Sequence, residues 1–251
     1  MDKFIEQTKK AIVEDCSDLL NRLGGVPVNY SKKLEKVEGI LVLGLNPAGD
    51  ESTAKIESVP DYLYLNYVPK AKLPNFTNAN YFKVIYNVMN QATDDNAKWD
   101  WCNLPQEEIV RQISKNPDWK QYKETILDFY NKEKSKRFTV FCGDMFYLHM
   151  TSQKDFLECI NPDSAYIKDM LNLHIDELES LGVNIKMIYT NNACVSDFVE
   201  NALRSKGESV IDYNYNNKKY KIVLGAMLSG QRAMDRYSRF RLIKEMKSIF
   251  Q

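Results

Sequence analysis

Asn46 stands in the run Ile40-Leu41-Val42-Leu43-Gly44-Leu45-Asn46-Pro47-Ala48-Gly49, followed directly by Asp50 and Glu51. Four consecutive apolar residues between glycines predict a strand buried on both faces. Pro47 ends it, because proline cannot donate to a ladder. Asn46 is thereby placed at the carboxyl end of a buried strand, where sites gather in open α/β sheets. An amide at such a place orients a water or a carbonyl but does not take up a proton as a carboxylate does. Asp50 or Glu51 lies close enough in sequence to add a carboxylate. Both equally suit the start of a helix, as a cap and as partners of its dipole. The segment from Gly44 to Pro47 also reads as a plain turn.

Three further apolar runs end in polar or small residues. Phe138-Thr139-Val140-Phe141-Cys142 stops at Gly143-Asp144. Ile185-Lys186-Met187-Ile188-Tyr189-Thr190 stops at Asn191-Asn192, and Tyr220-Lys221-Ile222-Val223-Leu224 stops at Gly225-Ala226, just before Ser229. Helical stripes separate them: Ile167, Met170, Leu171, His174, Leu178 and Leu181, then Val195, Phe198, Val199, Ala202 and Leu203. The spacing also predicts an amphipathic helix over 3–23, a helix through Phe82, Ile85, Tyr86 and Met89, and a last helix through Phe240, Ile243, Met246 and Phe250. This alternation predicts an α/β fold, a three-layer αβα sandwich around a central four-stranded parallel sheet. Residues 50–77 show no period, and so long an irregular stretch is often functional. Residues 91–136 read as a helical insertion into a single domain spanning 1–251, since no linker or internal repeat interrupts the chain.

Composition bounds what such a fold is used for. The 251 residues carry 34 Lys and Arg against 34 Asp and Glu, so the chain as a whole has no strong attraction for polyanions. The exception is local: Arg232, Arg236, Arg239, Arg241, Lys244 and Lys247 cluster near the end, against Asp235 and Glu245. Five scattered cysteines without a C-x-x-C pair predict reduced thiols in a cytoplasmic protein, and speak against a zinc or iron–sulfur site. Two histidines make a His-rich metal site an unattractive reading. His174 lies on an apolar stripe and reads as a packing residue, whereas His149 follows Asp144 and has a route to the strand ends. No apolar run is long enough to span a bilayer, and the N-terminus lacks the pattern of a signal peptide.

Three segments together resemble the uracil-DNA glycosylase superfamily, nearest its mismatch-specific uracil/thymine branch. Gly44-Leu45-Asn46-Pro47 is similar to that branch's Gly-Ile-Asn-Pro-Gly motif. Asn80-Tyr81-Phe82-Lys83-Val84-Ile85-Tyr86 resembles its Asn-Arg-Phe-Trp-Lys-Val-Ile-Tyr helix. Leu228-Ser229-Gly230-Gln231-Arg232 resembles its Pro-Ser-Gly-Leu-Ser-Arg loop. The order and spacing of the three also fit.

The resemblance implies a monofunctional DNA glycosylase that needs no cofactor or metal and acts as a monomer on double-stranded DNA. Such an enzyme flips a damaged or mismatched base and hydrolyses its N-glycosidic bond through an oxocarbenium-like transition state. It assigns Asn46 to positioning the water; Asp50, close by in sequence, is the candidate for the accompanying carboxylate. Gly44, Asp144 and an aromatic platform, Phe76 or Tyr67, would hold the base, although these rings read equally well as core. Stacking on such a ring is worth ~1–3 kcal/mol. Ser229, Gly230, Gln231, Arg232 and Arg236 would contact DNA, where phosphate contacts dominate affinity. One departure stands out: Met227 occupies the place where relatives carry a His or Asn beside the leaving base. The backbone N–H groups near Ser229 and Gly230 are then the candidate donors to that base. The departure leaves two alternatives open, a non-catalytic nucleic-acid-binding protein that keeps the fold and a small-molecule hydrolase acting on nucleosides.

Overall fold

The apolar runs pair edge to edge in the computed structural model, which describes residues 2–24, 30, 37–48, 85, 88, 138–228 and 239–250. β1 (Val37–Gly44) lies between β2 (Phe138–Asp144) and β3 (Val183–Thr190), parallel to both. β5 (Lys218–Leu224) runs parallel to β3, and β4 (Val210–Tyr215) runs antiparallel to β5 at the sheet edge. The order is β2-β1-β3-β5-β4. The fold is thus α/β with helices flanking a mostly parallel sheet.

The sheet has five strands, not four. The additional strand is half of a hairpin. Asn216 and Asn217 both take positive φ, 47° and 59°, as a two-residue hairpin turn requires. Ile211 and Tyr213 alternate inward while Asp212 and Asn214 face out, the period of a half-buried strand.

Five α-helices accompany the strands among the described residues: α1 (Asp2–Lys9), α2 (Gln153–Glu158), α3 (Ser164–Ser180), α4 (Ala193–Leu203) and α5 (Arg239–Phe250). Asp163 caps α3 by accepting from the Tyr166 amide at 2.7 Å, and Asn192 caps α4 by accepting from the Cys194 amide at 2.8 Å. The α3 stripe buries Tyr166, Ile167, Met170, Leu171, His174, Ile175 and Leu178 against the sheet. A fully buried Leu, Ile or Phe contributes roughly 1.5–3 kcal/mol, so this face sets where α3 lies. None of the described helices is long and apolar enough to cross a membrane.

The expected helix over 3–23 is broken. α1 stops at Lys9, and 3-10 turns span Glu14–Arg22 with a kink at Cys16. The break has a cause: Ile12 forms an antiparallel bridge with Ile160, and the Val13 amide donates to the Cys159 carbonyl at 3.0 Å. Backbone used that way cannot also close helical hydrogen bonds. Cys16 and Cys159 form a disulfide beside this bridge, which corrects the expectation of five reduced thiols. Cys142 and Cys194 take no part in a disulfide.

Candidate functional site at the carboxyl ends of the strands

β1, β2, β3 and β5 point their carboxyl ends to one edge of the sheet, and the segments leaving them are tied together there. After β1 and β2 the two chains continue side by side. The Met145 amide donates to the Gly44 carbonyl at 2.9 Å, and the Phe146 amide to the Leu45 carbonyl at 3.0 Å. Farther on, the Met150 amide donates to the Pro47 carbonyl at 3.1 Å. Pro47 has no N–H to give, but its carbonyl still joins the two exits.

Asn46 lies inside this join, partly buried. Its Nδ2 donates to the carbonyls of Pro47 (3.1 Å), Leu148 (3.0 Å) and Met150 (2.9 Å). Three carbonyls around one end of an amide settle which end is nitrogen. Oδ1 is therefore the end turned away from them, and among the described residues no donor bonds it. An oxygen fixed in this way can accept a hydrogen bond from a water and hold it in place.

Asp144 ends β2, and its Cα is paired in register with Gly44. Gly143, one residue earlier, faces α3: a Cβ there would meet His174 Cε1 at 2.5 Å. Strand alternation turns the Asp144 side chain to the opposite face, the one that Cys142 shares. Asp144 as a whole is partly buried, and its carboxyl accepts no hydrogen bond among the described residues. Loss of hydration pushes its pKa up to about 7. Burial likewise pushes the Cys142 thiol and the Tyr147 hydroxyl well up.

His149 and His174 take different parts. The His149 ring is buried and its Nδ1 donates to the Ala48 carbonyl at 3.1 Å, while its amide donates to the Arg22 carbonyl at 2.9 Å. It braces the Asn46 segment from behind. His174 is fully buried, with Nε2 donating to the Asp144 carbonyl (3.1 Å) and Nδ1 accepting from the Tyr30 hydroxyl (2.9 Å). Burial lowers its pKa to about 4, so it is a neutral packing residue.

On the far side of β1, Asn191 is the clamp. Its amide donates to the Leu43 carbonyl at 2.7 Å, and its Oδ1 accepts from the Leu228 amide at 2.9 Å. The segment after β5 is thereby held against the end of β3. Beneath it, Thr190 Oγ1 and Ser196 Oγ sit 2.6 Å apart, and both accept from the Gly225 amide at 3.0 Å. Gly225 has no room for a Cβ, which would overlap the Tyr189 ring, and the Tyr189 hydroxyl donates to the Ala226 carbonyl at 2.8 Å. Met227, between these anchored residues, is 44% exposed.

Of the residues singled out from the sequence, Gly44, Asn46 and Asp144 come together across β1 and β2. Asp50, Tyr67, Phe76, Ser229, Gly230, Gln231, Arg232 and Arg236 lie outside the described residues. Sequence reasoning missed the carbonyl ring of Pro47, Leu148 and Met150, because main-chain acceptors leave no mark in residue type. It also missed the Thr190–Ser196 pair, for which two hydroxyls at a strand end and a helix start are the available signal. Among the described residues no three His, Cys, Asp or Glu side chains are grouped to hold a metal ion. No family model matches the chain, and no curated protein matches it.

Proposed function

We propose that this chain is a DNA glycosylase-like hydrolase that flips a damaged or mismatched base and cleaves its N-glycosidic bond with water. The observation that carries the reading is the fixed amide of Asn46. Its nitrogen is taken up by three carbonyls at a strand end, and its oxygen is left to orient a nucleophile. Such a group adds little base strength, so the reading is of a slow enzyme that works by positioning. Asp144, next to Gly44 in register, is the candidate base contact. The reading includes a single domain arranged as an αβα sandwich, Asp50 beside the water, Phe76 or Tyr67 under the base, and Ser229 to Arg232 with Arg236 on the DNA. It also includes a monomer acting on double-stranded DNA without cofactor. A cytoplasmic location belongs to it as well, with the Cys16–Cys159 bond as the counter-observation, because disulfides persist in oxidising compartments.

The test is strand scission at abasic sites, using labelled duplexes that carry uracil, thymine or hypoxanthine mismatches. The expected outcome is product with at least one of them, and none with Asn46→Ala, whose DNA affinity stays near that of the wild type. Equal activity in the variant removes Asn46 from the mechanism.

A second reading has its own support. Met227 is exposed at the end of β5 and has no N–H or O–H to stabilise a departing base. This favours a nucleic-acid-binding protein without activity. DNA binding with no abasic product from any duplex would select it. Turnover of free nucleosides, indifferent to salt and to Arg232→Ala, would instead select a nucleoside hydrolase.

A further inference from the structure

The 3-10 turns of Glu14–Arg22 form a strap along residues 145–161, and none of the strap's own side chains is buried. Among the described residues its main-chain ties to that segment fall at its two ends. At one end Ile12 bridges Ile160, the Val13 amide donates to the Cys159 carbonyl at 3.0 Å, and the Asn161 amide donates to the Ala11 carbonyl at 2.7 Å. At the other, Leu23 bridges Leu148, the Gly24 amide donates to the Tyr147 carbonyl at 3.0 Å, and the His149 amide donates to the Arg22 carbonyl at 2.9 Å. Between these ties the Cys16–Cys159 bond is the covalent hold. A segment with so little burial opens at low cost once such a hold is lost.

Residues 147–150 connect the strap to Asn46. Their main-chain groups alternate in direction, as those of an extended segment do. The Tyr147 carbonyl and the His149 amide face the strap, while the Leu148 and Met150 carbonyls face Asn46 and accept from its Nδ2 at 3.0 and 2.9 Å. Two carbonyls that orient Asn46 therefore sit on a segment whose other edge the strap holds. We propose that Cys16–Cys159 is a redox latch: closed, it keeps the strap in place and the Leu148 and Met150 carbonyls set around Asn46, and reduction releases the strap and loosens that grip. The reductant is a dithiol. Its thiolate attacks Sγ of Cys16, the less buried of the two cysteines, forming a mixed disulfide and expelling the Cys159 thiolate. Its second thiol then attacks the reductant's own sulfur and expels the Cys16 thiolate. Two electrons and the two thiol protons of the reductant pass to the cysteines, and the reductant leaves as a cyclic disulfide. A small-molecule disulfide reverses the exchange. The Ile12–Ile160 bridge involves no sulfur, and the two cysteine Cα atoms stand 5.5 Å apart, so the thiols stay placed to rejoin. The effect of the latch on turnover rests on the glycosylase reading; the latch itself does not.

The experiment is hydrogen–deuterium exchange on the full chain, treated with oxidised glutathione or with dithiothreitol, at labelling times that leave β3 and β5 unexchanged in both forms. Alkylation of the oxidised chain is expected to spare Cys16 and Cys159. On reduction, residues 14–24 and 145–151 are expected to exchange at least about tenfold faster, and reoxidation to restore the slow rate. Cys16→Ser is expected to match the reduced form under both treatments, and the wild type alone carries the test if that variant fails to fold. Three results overturn the proposal: alkylation of Cys16 and Cys159 in the oxidised chain, equal exchange at 145–151 in the two forms, or a rise there only at times when β3 and β5 exchange as well. Abasic product is expected to form more slowly with the reduced chain, and equal rates overturn the link from latch to Asn46. Failure of the glycosylase reading looks different: no product from either form, with exchange at 145–151 still deciding the latch.

Discussion

The amide of Asn46 shows why a residue type alone does not define a role. Its nitrogen satisfies three carbonyls of the β1 and β2 exits, so the side chain is a structural joint as well as a candidate water holder. Replacing it with aspartate, the stronger base, would turn a carboxylate toward those same carbonyls. Asn46→Asp is therefore expected to lower stability by about 1–3 kcal/mol, read from urea unfolding, because the donors are lost and like poles face each other. An unchanged midpoint would show that the joint carries no load. Asp144 gives the opposite case. Its ordinary value of 3.8 rises to about 7 in the fold. Between those limits the unfolded chain releases a proton that the folded chain keeps, so stability falls as pH rises through this window. Asp144→Asn should thus melt above the wild type at pH 8, by a few degrees, and the gap should close toward pH 4. His174 works in the other direction. Its value drops from 6.5 to about 4, so its cost appears as pH falls through that range. Asn46 and Asp144 were legible in the sequence because each ends an apolar run. The carbonyls that orient Asn46 were not, since every residue type carries one.

Elements were legible where one period dominates and hidden where the chain changes partner. The α3 stripe was readable because seven buried residues recur at helical spacing, with Asp163 at its start. Residues 3–23 carry a similar stripe, yet Ile12 and Val13 pair with the segment around Cys159 and Ile160 instead of continuing the helix. Nothing local announces a partner so far along the chain. β4 was missed because its polar outward residues, Asp212 and Asn214, dilute a short apolar signal. The Asn216-Asn217 turn was the cue that would have found it. At that turn Asn217 holds φ at 59°, which glycine adopts without steric cost. Asn217→Gly is expected to raise or preserve stability, by at most about 1 kcal/mol, and Asn217→Val to lower it by at least as much. Thermal melting of the two variants tests the turn geometry directly.

The whole molecule follows from the strand ends meeting on one side. Parallel strands linked by helices bring Gly44, Asp144, Asn191 and the segment after β5 to a common edge, whatever their distance in sequence. That gathering was predictable from the alternation of runs and stripes. How the ends are fastened was not: it depends on main-chain atoms and on buried hydroxyls such as those of Thr190 and Ser196. Nor was the Cys16–Cys159 bond, because five scattered cysteines do not reveal which two meet. Reduction of that bond is expected to lower stability by ~2–4 kcal/mol, measured by urea unfolding with and without dithiothreitol. Cys16→Ser should give the reduced value under both conditions.

The same bond turns the polypeptide into a covalent ring, since its sulfurs belong to residues 143 positions apart and both β1 and β2 lie between them. A protease that cuts once inside the ring does not release a fragment. The nicked protein should run as one band on a non-reducing gel and as two after reduction, so the severed halves stay tethered for as long as the surroundings remain oxidising.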